Sequence, residues 1–274
     1  MNRMDASFRP RIGIIGGRGR MGRWFERFFQ DTGFKVLISD LDTELTSRDL
    51  AEKCQMVILA VPMDCFDSVV REVAPMIPEE NFLTDMCSLK ERQVETMLRY
   101  SKCQVCGTHP LFGPGESDII GKRVALCPAR GTKWFYWWKA FLDSTGALTA
   151  IFTPQEHDRT MAWVQALNHF IILCLGKSLE EDGIDFKHIL ELATPSFERQ
   201  LNIVARLCLQ DPELYATIQL GNPYTNTALD TFGKYSRQLR TIIKEGDRAG
   251  FIKMFKEVQK LGPSLLKHCR KTPD

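Results

Sequence analysis

Short apolar runs alternate with longer amphipathic stretches along the first half of the chain, and the alternation stops near residue 152. Apolar runs over 12–15, 35–39, 56–61, 82–86, 103–107, 123–127 and 148–152 have strand length, and the 56–61 run is apolar at every position. Such a run marks a strand buried on both faces, and Pro62 stops it. Between the runs, helical spacing predicts helices over 20–31, 65–73, 91–100 and 133–143. In the first of these Met21, Trp24, Phe25, Phe28 and Phe29 recur three and four apart. Strands alternating with helices predict an α/β fold whose open, mostly parallel sheet carries helices on both faces. The consecutive aromatics Trp134, Phe135, Tyr136, Trp137 and Trp138 cannot share one helix face, so they read as packing residues.

From Thr153 the pattern changes. Thr153-Pro-Gln-Glu156 is a capping box with proline at the first helical position. Helices are then predicted over 154–177, 186–192, 195–209, 212–221, 225–245 and 248–271, with no further strand. The chain therefore divides into a nucleotide-type domain over 1–152 and an all-helical domain over 153–274.

Composition narrows the class. The 274 residues are 44% hydrophobic and 26% charged, ordinary for a soluble globular chain and ample for two cores. No apolar stretch reaches the about 18 residues of a membrane span, and residues 1–10 carry no apolar signal core. A cytoplasmic protein is expected. Nine cysteines are an odd number in a large chain, which points to reduced, mostly buried thiols. Cys103 and Cys106 form a single C-x-x-C with no second pair, so no metal is expected. The net charge of +2 demands no nucleic acid. Arginines 9, 11, 18, 20, 23 and 27 do cluster around one loop, either as a solvated helix face or to meet phosphates.

That loop is the strongest motif. Gly17, Gly19 and Gly22 give G-x-G-x-x-G directly after the first strand and at the start of the first helix. Glycines there allow a tight turn and close approach of a pyrophosphate, and the helix N-terminus supplies free amides and a positive dipole. Asp40 ends the next strand, roughly 20 residues on, where a carboxylate binds the ribose hydroxyls of NAD and repels the 2′-phosphate of NADP. The expected cofactor is NAD, held by Gly17, Arg18, Gly19, Arg20, Met21, Gly22 and Asp40, with Val61 and Pro62 at the end of the third strand.

In an open α/β sheet, ligands bind beyond the carboxyl ends of the strands. Ser88 follows the 82–86 strand and His109 follows the 103–107 strand, so adjacent strands would bring both to one crevice. Histidine is suited to take a hydroxyl proton while a hydride leaves the same carbon, and serine to orient that hydroxyl. On spacing alone, His109 serves equally well as a loop residue bonded to backbone.

Gly107-Thr-His-Pro-Leu-Phe-Gly-Pro114, with Thr84-Asp-Met-Cys-Ser-Leu-Lys90 upstream, strongly resembles prephenate dehydrogenase. The segment from Glu156 to Phe170 and the segment from Ala205 to Tyr215 extend the likeness over nearly the whole chain. It is closest to the enteric type, often fused to chorismate mutase. No mutase segment precedes the glycine loop and no room follows for a regulatory domain, so neither is expected. The resemblance implies a Rossmann-type NAD domain, a helical domain that also makes a homodimer, and no nucleic-acid or membrane partner. It implies prephenate as substrate, hydride transfer to NAD, His109 as proton acceptor with Ser88 beside it, and loss of the ring carboxylate as CO2 to give 4-hydroxyphenylpyruvate in tyrosine biosynthesis.

The substrate would be a dianion, and Arg206 stands at the family's substrate-binding arginine. Arg199, seven residues earlier on roughly the same face, would assist. Gln165 and His169 share a helical face and match positions lining the pocket, and Tyr215 matches an aromatic position there. His157 reads as structural, near a helix start. Pro114 and Gly115 replace a threonine and glutamate of some relatives, and Glu116 stands close enough to substitute; this departure leaves arogenate open as the substrate. Another dehydrogenase of the same layout, such as a β-hydroxyacid dehydrogenase, and an NAD-binding regulator without turnover are the remaining readings.

Overall fold

The computed structural model describes residues 8–268. Seven strands form one sheet: β1 (Ile12–Ile15), β2 (Val36–Ser39), β3 (Met56–Leu59), β4 (Phe82–Asp85), β5 (Gln104–Pro110), β6 (Arg123–Arg130) and β7 (Leu148–Ile151), in the order β2-β1-β3-β4-β5-β6-β7. All neighbours pair in parallel except β5 and β6, which are antiparallel. The reason lies between them. Residues 111–122 contain no crossover helix, and without one a strand can only return beside its predecessor in the opposite sense. A parallel reading of the apolar runs misses this reversal. It also ends β5 too early: the strand continues through Thr108, His109 and Pro110, all buried.

Helices α1 (Arg20–Asp31), α2 (Ser47–Lys53), α3 (Met63–Val73), α4 (Glu91–Tyr100) and α5 (Lys133–Ser144) flank the sheet. One core layer joins Trp24, Phe25 and Phe29 of α1 to Trp134, Trp137, Trp138 and Leu142 of α5, across Ile12, Ile14, Met56, Ile58 and Phe82. The opposite layer sets Phe66, Val70 and Val73 of α3 and Val94 and Met97 of α4 on Ile15, Val57, Leu59 and Leu83. The aromatic run of α5 is thus packing, with Trp134 stacked on Phe82 and only Tyr136 largely exposed. Helix α2 escapes sequence reading because its seven residues bury only Leu50 and Ala51, too few for a period to show.

Beyond β7 the chain is helical: α6 (Pro154–Met161), a π-helical turn (Ala162–Leu167), α7 (Asn168–Asp182), α8 (Phe186–Leu192), α9 (Pro195–Leu207), α10 (Pro212–Gly221), α11 (Thr225–Glu245), α12 (Arg248–Gln259) and α13 (Gly262–His268). The capping box at Thr153 and Glu156 forms as the sequence requires. Two departures stand out. The stretch expected as one helix over 154–177 contains the π turn and runs on to Asp182, and the stretch expected over 248–271 breaks before Gly262 and Pro263, a pair that disfavours continuation. Residues 269–271 of that expectation lie outside the described residues.

By compactness the chain forms one unit up to Thr225 and another from Asn226. The change of pattern at 152 marks where strands end, but α6 and α10 are tied by buried side chains to the sheet region and group with it. No described helix is long and apolar enough to cross a membrane.

Candidate active site

The glycine loop connects β1 to α1. Gly16 has φ of 82°, a conformation side chains rarely adopt, and its amide and that of Gly17 donate to Ser39 O at the end of β2. A Cβ at Gly17 would meet Ile38 at 2.5 Å, and one at Gly22 would meet Gly16 O at 2.2 Å, so both are demanded by packing of loop, strand and helix. Gly19 differs. Its nearest neighbours would lie at 3.2 and 3.8 Å, and it caps α1 with no side-chain hydrogen bond. Packing presses on Gly19 less than on Gly17 or Gly22, and the missing side chain leaves the N-terminus of α1 open. Arg18, Arg20 and Pro62 are exposed, and Met21 and Val61 are half-buried around this turn.

Asp40 sits at the end of β2. Its Oδ2 accepts the Arg18 amide at 2.8 Å and its Oδ1 the Leu41 amide at 2.9 Å. Those bonds fix the carboxylate and leave acceptor capacity on both oxygens. The Arg18 guanidinium turns to Asp42, with Nε 3.3 Å from Oδ1.

His109, 4% exposed, occupies the carboxyl end of β5. Its backbone neighbour Thr108 is held on both sides. Asp85 Oδ1 accepts the Thr108 amide at 3.2 Å, and Lys90 Nζ donates to Thr108 O at 3.0 Å while pairing with Asp85 Oδ2. Neither Asp85 nor Lys90 exposes any side chain to water. The Thr108 hydroxyl meets Thr84 Oγ1 at 2.8 Å and accepts from Trp138 Nε1 at 3.0 Å.

The imidazole itself is partnered by a residue that sequence reading assigns to structure alone. His109 Nδ1 lies 3.0 Å from His157 Nε2, and His157 Nδ1 lies 2.7 Å from Asp158 Oδ1. Asp158 also accepts the amides of Lys90 at 2.8 Å and Glu91 at 2.9 Å, capping α4 from 67 residues away in sequence. An acceptor of two amides at a helix N-terminus is a carboxylate. It therefore takes the proton of His157 Nδ1, and in the neutral ring Nε2 is left as acceptor for His109 Nδ1–H. The lone pair of His109 then sits on Nε2. Burial, the largest cause, with the nearby Lys90 charge adding to it, holds His109 well below the ordinary imidazole range.

Ser88 is half-buried in the loop between β4 and α4, and no hydrogen bond joins it to His109. His157 fills the Nδ1 position, so the role that remains for Ser88 is the expected one toward a substrate hydroxyl. The one available signal was the His157–Asp158 dipeptide, an imidazole beside a carboxylate within a predicted helix. Glu116 is likewise committed elsewhere: its carboxylate pairs with Lys122, and its carbonyl accepts from Trp24 Nε1 at 2.7 Å.

The helical residues form a second group. His169 stacks on Tyr215 with ring centroids 4.2 Å apart, and burial lowers its proton affinity. Burial raises that of Tyr215, which nearby Arg206 opposes. Arg206 is exposed, and no carboxylate among the described residues pairs with it. The buried atoms His169 Nδ1 and Gln165 Oε1 have no hydrogen-bond partner among the described residues. Arg199, on the same helix as Arg206, is exposed and joined to none of these side chains.

The family model of the prephenate dehydrogenase nucleotide-binding domain matches residues 31–151, and that of the prephenate dehydrogenase dimerization domain matches residues 153–257. A probable arogenate/prephenate dehydrogenase of Methanocaldococcus jannaschii is 35% identical over 268 residues, covering 91% of this chain and 60% of its own length. The T-protein of Enterobacter agglomerans is 30% identical over 246 residues, covering 90% of this chain and 66% of its own length. The chain thus spans less than two thirds of these relatives. Among solved structures, prephenate dehydrogenase from Aquifex aeolicus in complex with hydroxyphenyl propionate and NAD+ aligns over 95% of this chain and all of its own, with a TM-score of 0.75 at 20% identity. Synechocystis arogenate dehydrogenase aligns over 94% of this chain and all of its own, with a TM-score of 0.71 at 17% identity. These two share the Rossmann-type fold. With the two halves of one architecture matched in order across residues 31–257, the chain belongs to the prephenate dehydrogenase family.

Proposed function

We propose that the chain carries out NAD-dependent oxidative decarboxylation of prephenate to 4-hydroxyphenylpyruvate. The observation that carries this reading is the Asp158–His157–His109 chain, which leaves a neutral imidazole with its lone pair on Nε2 at the carboxyl edge of the sheet. A base held in that tautomer takes a hydroxyl proton without first having to lose one.

The loop around Gly19 and the amides opening α1 fit a pyrophosphate, and the fixed Asp40 carboxylate fits a ribose diol. Arg18, Arg20, Met21, Val61 and Pro62 border the same turn. NAD bound there supplies the hydride acceptor. On the chain's side, His109 Nε2 removes the proton of the substrate's 4-hydroxyl as the hydride leaves the carbon bearing it. The carbon–carboxylate bond then breaks, its electron pair entering the ring, and CO2 departs as the ring becomes aromatic. Ser88 orients the hydroxyl. Arg206 holds a carboxylate bidentately, and Gln165, His169 and Tyr215 form the wall around the ring. Arg199 adds positive charge to the same helix.

A homodimer through the helical region accompanies this reading. Helices α7, α8, α9, α12 and α13 bury no residue within one chain, yet carry exposed Leu173, Leu192, Ile203, Phe255 and Leu265. Apolar faces of that extent call for a partner surface.

The test is NADH absorbance with purified protein, NAD and prephenate, run beside arogenate and beside NADP. NADH formation with prephenate is the expected result. Formation with arogenate alone would keep the chemistry and change the substrate, and no reduction with any pair would overturn the reading.

A further inference from the structure

The π turn between α6 and α7 sets which way His169 faces. A π turn closes its hydrogen bonds at i+5 and so adds one residue to the helix, turning everything after it by about 100° relative to an uninterrupted one. Such a turn is locally unfavourable and persists where something outside the helix holds it. Here α10 and its C-cap Asn222 supply the hold at three points. Asn222 Nδ2 donates to Asp158 O at 2.8 Å, before the turn. Gln219 Nε2 donates to Ala166 O at 2.7 Å, within it. Tyr215 stacks on His169, after it.

Tyr215 and Gln219 are four residues apart on α10 and therefore share its face. Ala166 lies between Gln165 and His169, two of the four described residues whose buried polar side-chain atoms lack partners. One side-chain amide is thus anchored one residue from the first and three from the second. Nothing else in the described structure bonds the Gln219 side chain, and a glutamine that merely filled space would not need a 2.7 Å bond to the only π turn among the described residues.

We infer that Gln219 is a positioning residue for the substrate pocket: by donating to Ala166 O it holds the π turn in the register that aims Gln165 and His169 at the ligand. This rests on the functional reading above. It separates Gln219 from the residues that handle the proton, because the Asp158–His157–His109 chain precedes the turn.

Two variants and two readouts test it. Gln219→Met keeps the volume and removes the donor, whereas Gln219→Lys keeps a donor of similar reach. With the wild-type enzyme turning over prephenate, Gln219→Met is expected to raise KM about tenfold, the worth of one good hydrogen bond, with kcat and NAD affinity within about threefold of wild type. Gln219→Lys is expected to restore most of that loss. Amide hydrogen exchange over residues 163–170, followed without substrate, is expected to quicken in Gln219→Met and return toward wild type in Gln219→Lys. Unchanged KM and unchanged exchange in Gln219→Met would overturn the inference. So would a joint loss of kcat, KM and NAD affinity, the mark of general unfolding. If wild type forms no NADH with any substrate offered, the functional reading fails, and exchange alone then decides whether Gln219 holds the turn.

Discussion

The surroundings of His109 and of His169 are built on opposite rules. Around His109, the groups Asp85, Lys90, Thr108, His157 and Asp158 all have hydrogen-bond partners within the chain, and the ring is nearly sealed. Around His169, two buried polar atoms have none and Arg206 faces water. Burial lowers the proton affinity of both rings, yet only His109 has its proton placed by a neighbour. A group that moves a proton is best held rigid in one tautomer, whereas a group that meets a ligand keeps its bonding capacity for that ligand. The contrast divides the labour: the sheet side holds the base, and the helical side waits for the substrate.

The comparison breaks most visibly at the base. His109→Asn is expected to lower kcat by about 10²-fold or more while NAD affinity persists, read by steady-state rates beside a binding titration. Turnover close to wild type would place the base elsewhere.

Next in size is the cost of disturbing the sealed side. Lys90→Met leaves the Asp85 carboxylate buried and unpaired, a loss of about 3–5 kcal/mol in urea unfolding. The double variant Asp85→Leu with Lys90→Met should recover much of it, since the pair is then replaced by apolar groups. Equal destabilisation by single and double variants would show that the ion pair is not what holds Thr108.

On the open side, Arg206→Gln is expected to raise KM for prephenate by about tenfold or more with little change in kcat, since it removes binding rather than proton transfer. Unaltered KM would remove Arg206 from the pocket. A smaller effect is expected at the cofactor end. Asp40→Ala should weaken NAD and narrow the preference over NADP, and an unchanged ratio of the two affinities would mean that the carboxylate does not meet the ribose.

The pH dependence sharpens the same contrast. His109 must be neutral to accept a proton, and its lowered proton affinity keeps it neutral further into acid. Activity is therefore lost as pH falls through a value below the ordinary imidazole range of about 6.5. An acid limb of kcat/KM at or above that range would contradict the burial described for His109.

Much of the sheet half was legible because strands and helices there alternate with clear period, and the glycines carry their reason in their spacing. Helix α1 falls where Met21, Trp24, Phe25, Phe28 and Phe29 predict it. The reversal of β6 was hidden, since an apolar run has no direction written in it. The His109 site was half legible. Histidine at a strand end can be read from one segment, but its partner His157 lies 48 residues on and meets it only through the docking of α6. The π turn left no signal at all, because Ala162–Leu167 reads as ordinary helix until Gln219 is seen bonded to Ala166.

The central claim is that Asp158, through His157, leaves His109 with a bare Nε2. Nitrogen-15 spectra of histidine-labelled protein at neutral pH measure this directly, with the His109 signals assigned by their loss in His109→Asn. The account predicts a ring protonated at Nδ1 with a pyridine-like Nε2. A His109 ring protonated at Nε2, or at both nitrogens, would contradict it.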